Sequence, residues 1–253
     1  DVVHRLAKDP EFADNPPGSD GPEPESPGRH DADWHSIDRR LFELRSVSDE
    51  YSERLLVGEV YILDQRRLIA YLGPEKLHLG HNFVFLNQPW EGAAISATLT
   101  EFEELAPAGV DGAWCLNNHD HPRTSTRFGV DGFGIEKARA AAVMLLALRG
   151  TCFLYQGEEL GLPDTRIDES VRVDIDGRDG CRTPIPWESP TEQAPGAGFT
   201  NGVPWLPIGD TADTLNVAAE YADSSSTYWL YRNLISARKS SLALREGAFV
   251  ARG

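Results

Sequence analysis

Gly112-Ala113-Trp114-Cys115-Leu116, then Gly-Ile-Glu-Lys-Ala-Arg-Ala-Ala-Ala-Val-Met-Leu-Leu-Ala-Leu-Arg from Gly134 to Arg149, then Thr151-Cys152-Phe153-Leu154-Tyr155 form the most legible unit of this chain. Two short, continuously apolar runs flank a long segment of helix formers, and Gly150 between helix and second run is a typical stop signal. Apolar strands without alternation are those buried on both faces, as in a parallel sheet. Working outward towards the amino terminus, the same rhythm recurs. Trp34 to Tyr51 reads as a helix and Leu55-Leu56-Val57-Gly58-Glu59-Val60-Tyr61 as a buried strand. Asp64 to Leu72 reads as a short helix, His81 to Leu86 as a strand and Ile95 to Leu105 as a helix with acidic residues on one face. The repetition predicts an α/β fold, either a barrel or a doubly wound sheet.

Outside these units the sequence is broken. Asp14 to Asp33 holds five prolines, three glycines and six acidic residues against one arginine, the composition of an exposed loop. Leu160 to Ser225 is rich in proline and glycine and has no sustained periodicity, and loops of that length usually serve function. Tyr228 to Leu244 restores helical spacing.

Composition removes several function classes. Of 253 residues, 40 are acidic and 24 basic, and the net charge of −16 repels phosphate backbones and anionic lipid. Nucleic acid and membrane are therefore not expected partners. No apolar run approaches the roughly 18 residues of a membrane span. Cys115, Cys152 and Cys181 lack metal-site spacing and are odd in number, which fits a reducing, cytoplasmic setting. The chain opens at Asp1 without methionine and stops at Gly253 just after a helix, so both ends read as cut.

Carboxylates stand within or just beyond three of the predicted strands: Glu59, Asp120, and the pair Glu158 and Glu159. A charge there is costly unless paired or used, and the carboxyl ends of parallel strands are where α/β folds assemble their sites. Each acid alone is equally well an ordinary loop residue. Their repetition at one rim favours a shared site.

The blocks Gly58-Glu59-Val60-Tyr61, Asn118-His119-Asp120 and Gln156-Gly157-Glu158-Glu159-Leu160-Gly161 resemble, in order and spacing, the α-amylase superfamily, glycoside hydrolase family 13. Arg178-Asp179-Gly180-Cys181-Arg182-Thr183-Pro184-Ile185-Pro186-Trp187 and the Gly198 to Pro207 segment resemble its α-glucosidase and oligo-1,6-glucosidase branch. The resemblance covers nearly the whole chain. It implies a partial TIM (β/α)8 barrel comprising strands five to eight, starting at the end of strand four. Residues 1–244 would be the C-terminal half of the catalytic barrel, including an exposed loop at 14–33 and the strand-eight loop at 160–225. Residues 245–253 would begin a linker to a C-terminal β-domain. Asp1 matches the acid that closes the family's Gly-Phe-Arg-x-Asp motif.

The resemblance further implies a retaining glycosidase acting on maltose-like disaccharides or short oligosaccharides. Asp1 would be the nucleophile, Glu59 the acid/base and Asp120 the third carboxylate steadying the positively charged ring. His119, Arg123, Arg178 and Arg182 would contact sugar hydroxyls, with His4 on the leaving-group side. Arg123, Arg178 and Arg182 could equally be structural ion pairs, and His4 could simply pack. No cofactor is required. No metal site is read in this chain: Asp174-Ile175-Asp176-Gly177 is only a faint echo of a calcium loop, and a structural divalent cation would belong to the missing N-terminal half. Two alternatives use the same barrel: a transglycosylase or isomerase such as a trehalose or isomaltulose synthase, and a noncatalytic relative like the amino-acid transporter heavy chains. The second has no use for three acids.

Overall fold

The computed structural model describes residues 2–17, 29–247 and 249–250. It divides into two compact units, Asp1–Trp114 with Arg149–Thr151 and Ala248–Gly253, and Cys115–Leu148 with Cys152–Gly247.

In the first unit, helix α1 (Ile37–Asp49) leads to strand β1 (Val57–Gly58), helix α2 (Gln65–Ala70), strand β2 (Leu79–Gly80), helices α3 (Phe83–Leu86) and α4 (Gly92–Leu105), and the start of strand β3 (Ala113–Cys115). β1 and β2 are parallel, with Val57 opposite Leu79 and Gly58 opposite Gly80. The ladder continues as a parallel bridge from His81 to Ala113, and the Thr151 N–H, at the start of strand β4 (Thr151–Phe153), donates to the Gly112 carbonyl. Consecutive strands are thus neighbours, each pair joined through helices, as the repeated pattern predicts. Buried positions on α4 are Ile95, Thr98, Leu99 and Phe102, an i, i+3, i+4, i+7 stripe. Phe102 and Phe85 meet the fully buried Trp114 edge-on, at centroid distances of 5.0 and 5.2 Å. The Trp114 indole N–H donates to the Arg149 carbonyl at 2.6 Å, which satisfies its polar edge inside the core.

The second unit is built on helices α5 (Thr124–Arg127), α6 (Gly134–Ala147), α7 (Val217–Ala222), α8 (Thr227–Ser240) and α9 (Leu242–Glu246). Ala138, Ala141, Ala142, Leu145 and Leu146 form the buried face of α6, and small alanines let α8 approach closely. Ala142, Leu146 and Tyr231 make one core cluster, with Cys152, Leu234 and Ile235 packed on it.

Several expectations are corrected. His81 to Leu86 is not a strand: the Asn82 side chain accepts the Phe85 N–H at 2.8 Å and starts α3, so the apolar run turns helical after His81. Gly150 is not the cap of α6, which ends at Ala147. It sits at φ +101°, where a Cβ would lie 2.4 Å from the Gly112 carbonyl oxygen, so it is needed for the close approach to β3. The Tyr228–Leu244 helix breaks at Ser241, whose side chain caps α9, and α9 runs to Glu246. Loop 14–33 is only partly within the described residues, and its end is not exposed: Arg29 and Ala32 are buried, and Arg29 and Arg5 both donate to Asp31. The long 160–225 segment contains α7 and short 3-10 turns.

Candidate active site

In the first unit, Glu59 follows β1 directly. Its Oε2 accepts the Val2 N–H at 3.2 Å, and its backbone carbonyl accepts the Val3 N–H at 2.9 Å. The chain just after Asp1 is therefore tied to the end of β1, and Val2 takes a left-handed backbone conformation, φ 40°, to make that connection. Asp1 itself lies outside the described residues. His4 is 3% exposed, its Nδ1 has no hydrogen-bond partner among the described residues, and burial with the nearby Arg5 lowers its pKa to about 4. It is a neutral packing histidine here.

In the second unit, Asp120 follows β3 through a loop fixed by Asn118, whose Oδ1 accepts the Asp120 N–H at 2.9 Å. One oxygen of Asp120, Oδ1, accepts from Arg178 Nη1 at 2.8 Å and from Arg182 Nη2 at 2.9 Å. The other, Oδ2, has the exposed His119 ring 3.4 Å away. Arg182 also donates Nε to the His119 carbonyl at 2.7 Å, tying the turn Arg178–Arg182 to the loop after β3. His119, Asp120, Arg178 and Arg182 are thus together.

Arg123 is not with them. It is 2% exposed, its guanidinium donates to the Gln156 carbonyl and lies 5.2 Å from the Tyr155 ring centroid, and its N–H donates to Asp164. A group so enclosed braces the loop after β4. Gly157 makes room for it: at φ +80°, a Cβ there would fall 2.6 Å from Arg123 Nη1. Glu158 is likewise internal, accepting the Tyr231 hydroxyl at 2.8 Å and the Tyr155 N–H at 3.1 Å. Burial pushes its pKa up, and burial together with the facing carboxylate pushes the Tyr231 phenol up.

Asp174 is the participant that sequence reasoning passed over as a polar turn. Its carboxylate accepts Arg178 Nε at 3.0 Å and Arg178 Nη2 at 2.5 Å, and it contacts Arg182 Nη1 at 3.5 Å. The guanidinium partners hold its pKa well below the usual carboxylate range. Its separation of four residues from Arg178 was the available signal. Asp174 and Arg182 also line a pocket of about 410 Å³ together with Phe199 and Trp205. No group of three or more metal-ligating side chains occurs among the described residues, and no helix among them is long and apolar enough to cross a membrane.

The alpha amylase catalytic-domain profile matches residues 1–247, and the chain belongs to that family. Among curated proteins it is similar to an oligo-1,6-glucosidase of Parageobacillus thermoglucosidasius, at 29% identity over 94% of this chain and 49% of the relative. It is 35% identical to a probable alpha-glucosidase of Rhizobium meliloti over 82% of this chain and 39% of the relative. It is 30% identical to a trehalose-6-phosphate hydrolase of Escherichia coli over 98% and 50%. The chain therefore spans about half the length, or less, of these relatives. Among solved structures, an alpha-glucosyl transfer enzyme superposes with a TM-score of 0.87 at 31% identity, covering 98% of this chain and 49% of that one.

Proposed function

We propose that this chain is the C-terminal half of a (β/α)8 catalytic barrel, strands β1 to β4 standing as its strands five to eight. The polypeptide carrying it would be a retaining glycosidase of the α-glucosidase type, acting on short α-glucosyl oligosaccharides or disaccharides. The observation that carries the reading is the doubly arginine-bound Asp120 at the end of β3, in a chain matched by the family profile over residues 1–247. The printed functions of its relatives, oligo-1,6-glucosidase and alpha-glucosidase among them, support the substrate class.

In this mechanism the Asp1 carboxylate attacks the anomeric carbon, and Glu59 gives its proton to the departing glycosidic oxygen, leaving a glucosyl ester on Asp1. Glu59, now ionised, takes a proton from water. The resulting hydroxide equivalent attacks the same carbon, Asp1 leaves as carboxylate, and glucose is released with its original anomeric configuration. Each step develops positive charge on the ring. Asp120, with Oδ1 saturated by two guanidinium groups and Oδ2 turned away from them, suits contact with sugar hydroxyls at that stage. His119, 3.4 Å from Oδ2, would share those hydroxyls.

A transfer reaction is the second reading, favoured by the likeness to an alpha-glucosyl transfer enzyme. Proton NMR of the intact polypeptide acting on maltose tests both. Hydrolysis with retention yields free glucose that appears first as the α-anomer from the nonreducing unit. Dominant new disaccharide assigns the transferase, and initial β-glucose from that unit contradicts the double displacement.

A further inference from the structure

The four-charge cluster around Asp120 has a feature that pairing alone does not explain. Both arginines converge on a single oxygen, Oδ1, although a guanidinium fork normally spans both oxygens of a carboxylate. The fork of Arg178 is engaged elsewhere. Its Nε and Nη2, the bidentate edge, are taken by Asp174, which leaves Nη1 alone for Asp120. Arg182 is engaged differently: its Nε donates to the His119 carbonyl, its Nη2 to Asp120, and only its Nη1 reaches Asp174, at 3.5 Å.

We propose, resting on the role given above to Asp120, that Asp174 is a positioning residue: by occupying the fork of Arg178 it confines that arginine to one oxygen of Asp120 and keeps the other open to a sugar hydroxyl. Asp174 is itself held in place. The buried Asp179 accepts the N–H groups of Val173 at 2.7 Å and Asp174 at 3.0 Å, and the Asp174 carboxylate accepts the Arg178 N–H at 2.9 Å. Gly177, at φ +76°, gives the turn that returns Arg178 onto it. Without the Asp174 charge, Arg178 would face Asp120 with a free fork, and the second oxygen would be bridged. Asp176, 3.2 Å from Arg178 Nη2 but exposed, cannot substitute because it meets only one nitrogen of one arginine.

The test compares D174N, D174E and D120N in the intact polypeptide, with circular dichroism verifying the fold of each. With 4-nitrophenyl α-glucoside, D174N is expected to lose on the order of 10- to 100-fold in kcat with KM changed less than about threefold, because the open oxygen serves the transition state. D174E, which keeps the charge, should recover most of that loss. Nitrogen-15 NMR supplies a readout independent of turnover: the Arg178 Nε–H, bonded to Asp174, should be protected in wild type and D120N and lost in D174N. Unchanged kcat in D174N beside an inactive D120N overturns the positioning role, as does an Arg178 Nε–H signal that persists in D174N. Full activity in D120N would instead refute the function assigned to Asp120, while the NMR comparison still decides what Asp174 holds.

Discussion

Asp120 is where the chemistry of this chain is most concentrated, and at the residue scale its substitution is the sharpest probe. D120N keeps the shape but removes the charge that two guanidiniums and a developing cation require. Steady-state hydrolysis by the intact polypeptide should fall by about 100- to 1,000-fold, the range for a preorganised electrostatic group. His4 gives a second prediction, on stability. Its pKa lies at about 4 in the fold against an ordinary 6.5, so the unfolded chain binds the proton more readily. The stability it contributes is complete above pH 6.5 and is lost as the pH falls from there towards 4. Denaturant titrations of wild type and H4N at pH 7 and pH 5 should show a smaller drop in the variant. Glu158 acts with the opposite sign. Its raised pKa means that stability is greatest below the ordinary value and is lost as rising pH ionises it, and E158Q should flatten that alkaline loss.

At the scale of elements, capping and backbone approach decide what the apolar pattern alone leaves open. The spacing of buried residues makes α4 and α6 readable to within a few positions, because each presents one continuous apolar stripe. The run after His81 was legible as buried but not as helical, since four residues contain too little periodicity and the deciding group was the Asn82 cap. Asn82 is fully buried and also donates to the Gln65 side chain at 3.0 Å, so N82A strands a second polar group. Its cost should reach about 2–3 kcal/mol by urea denaturation, against about 1 kcal/mol or less for S241A at the half-buried cap of α9. The site divided in the same manner. Glu59 and Asp120 were visible because they end apolar strands, and the Arg178–Arg182 decapeptide through resemblance. The burial of Arg123 and His4 was not legible because it is set by neighbours distant in sequence, and the contacts of Asp174 were not because a short acidic turn looks the same whether or not arginines return to it.

For the whole molecule, the two compact units hold different parts of the proposed machinery: Glu59 and the segment that begins at Asp1 in one, and Asp120 with its arginines in the other. The matched relatives are about twice as long, so turnover is a property to be measured on the intact polypeptide. The central claim of the proposed function is that Asp1 forms the covalent bond to the glucosyl ring. The most direct measurement is to trap that bond with 5-fluoro-α-glucosyl fluoride and locate the modified residue by peptide mass spectrometry. Stoichiometric label on Asp1, abolished in D1N and accumulating only slowly in D120N, is the predicted result; label on any other carboxylate would contradict the account.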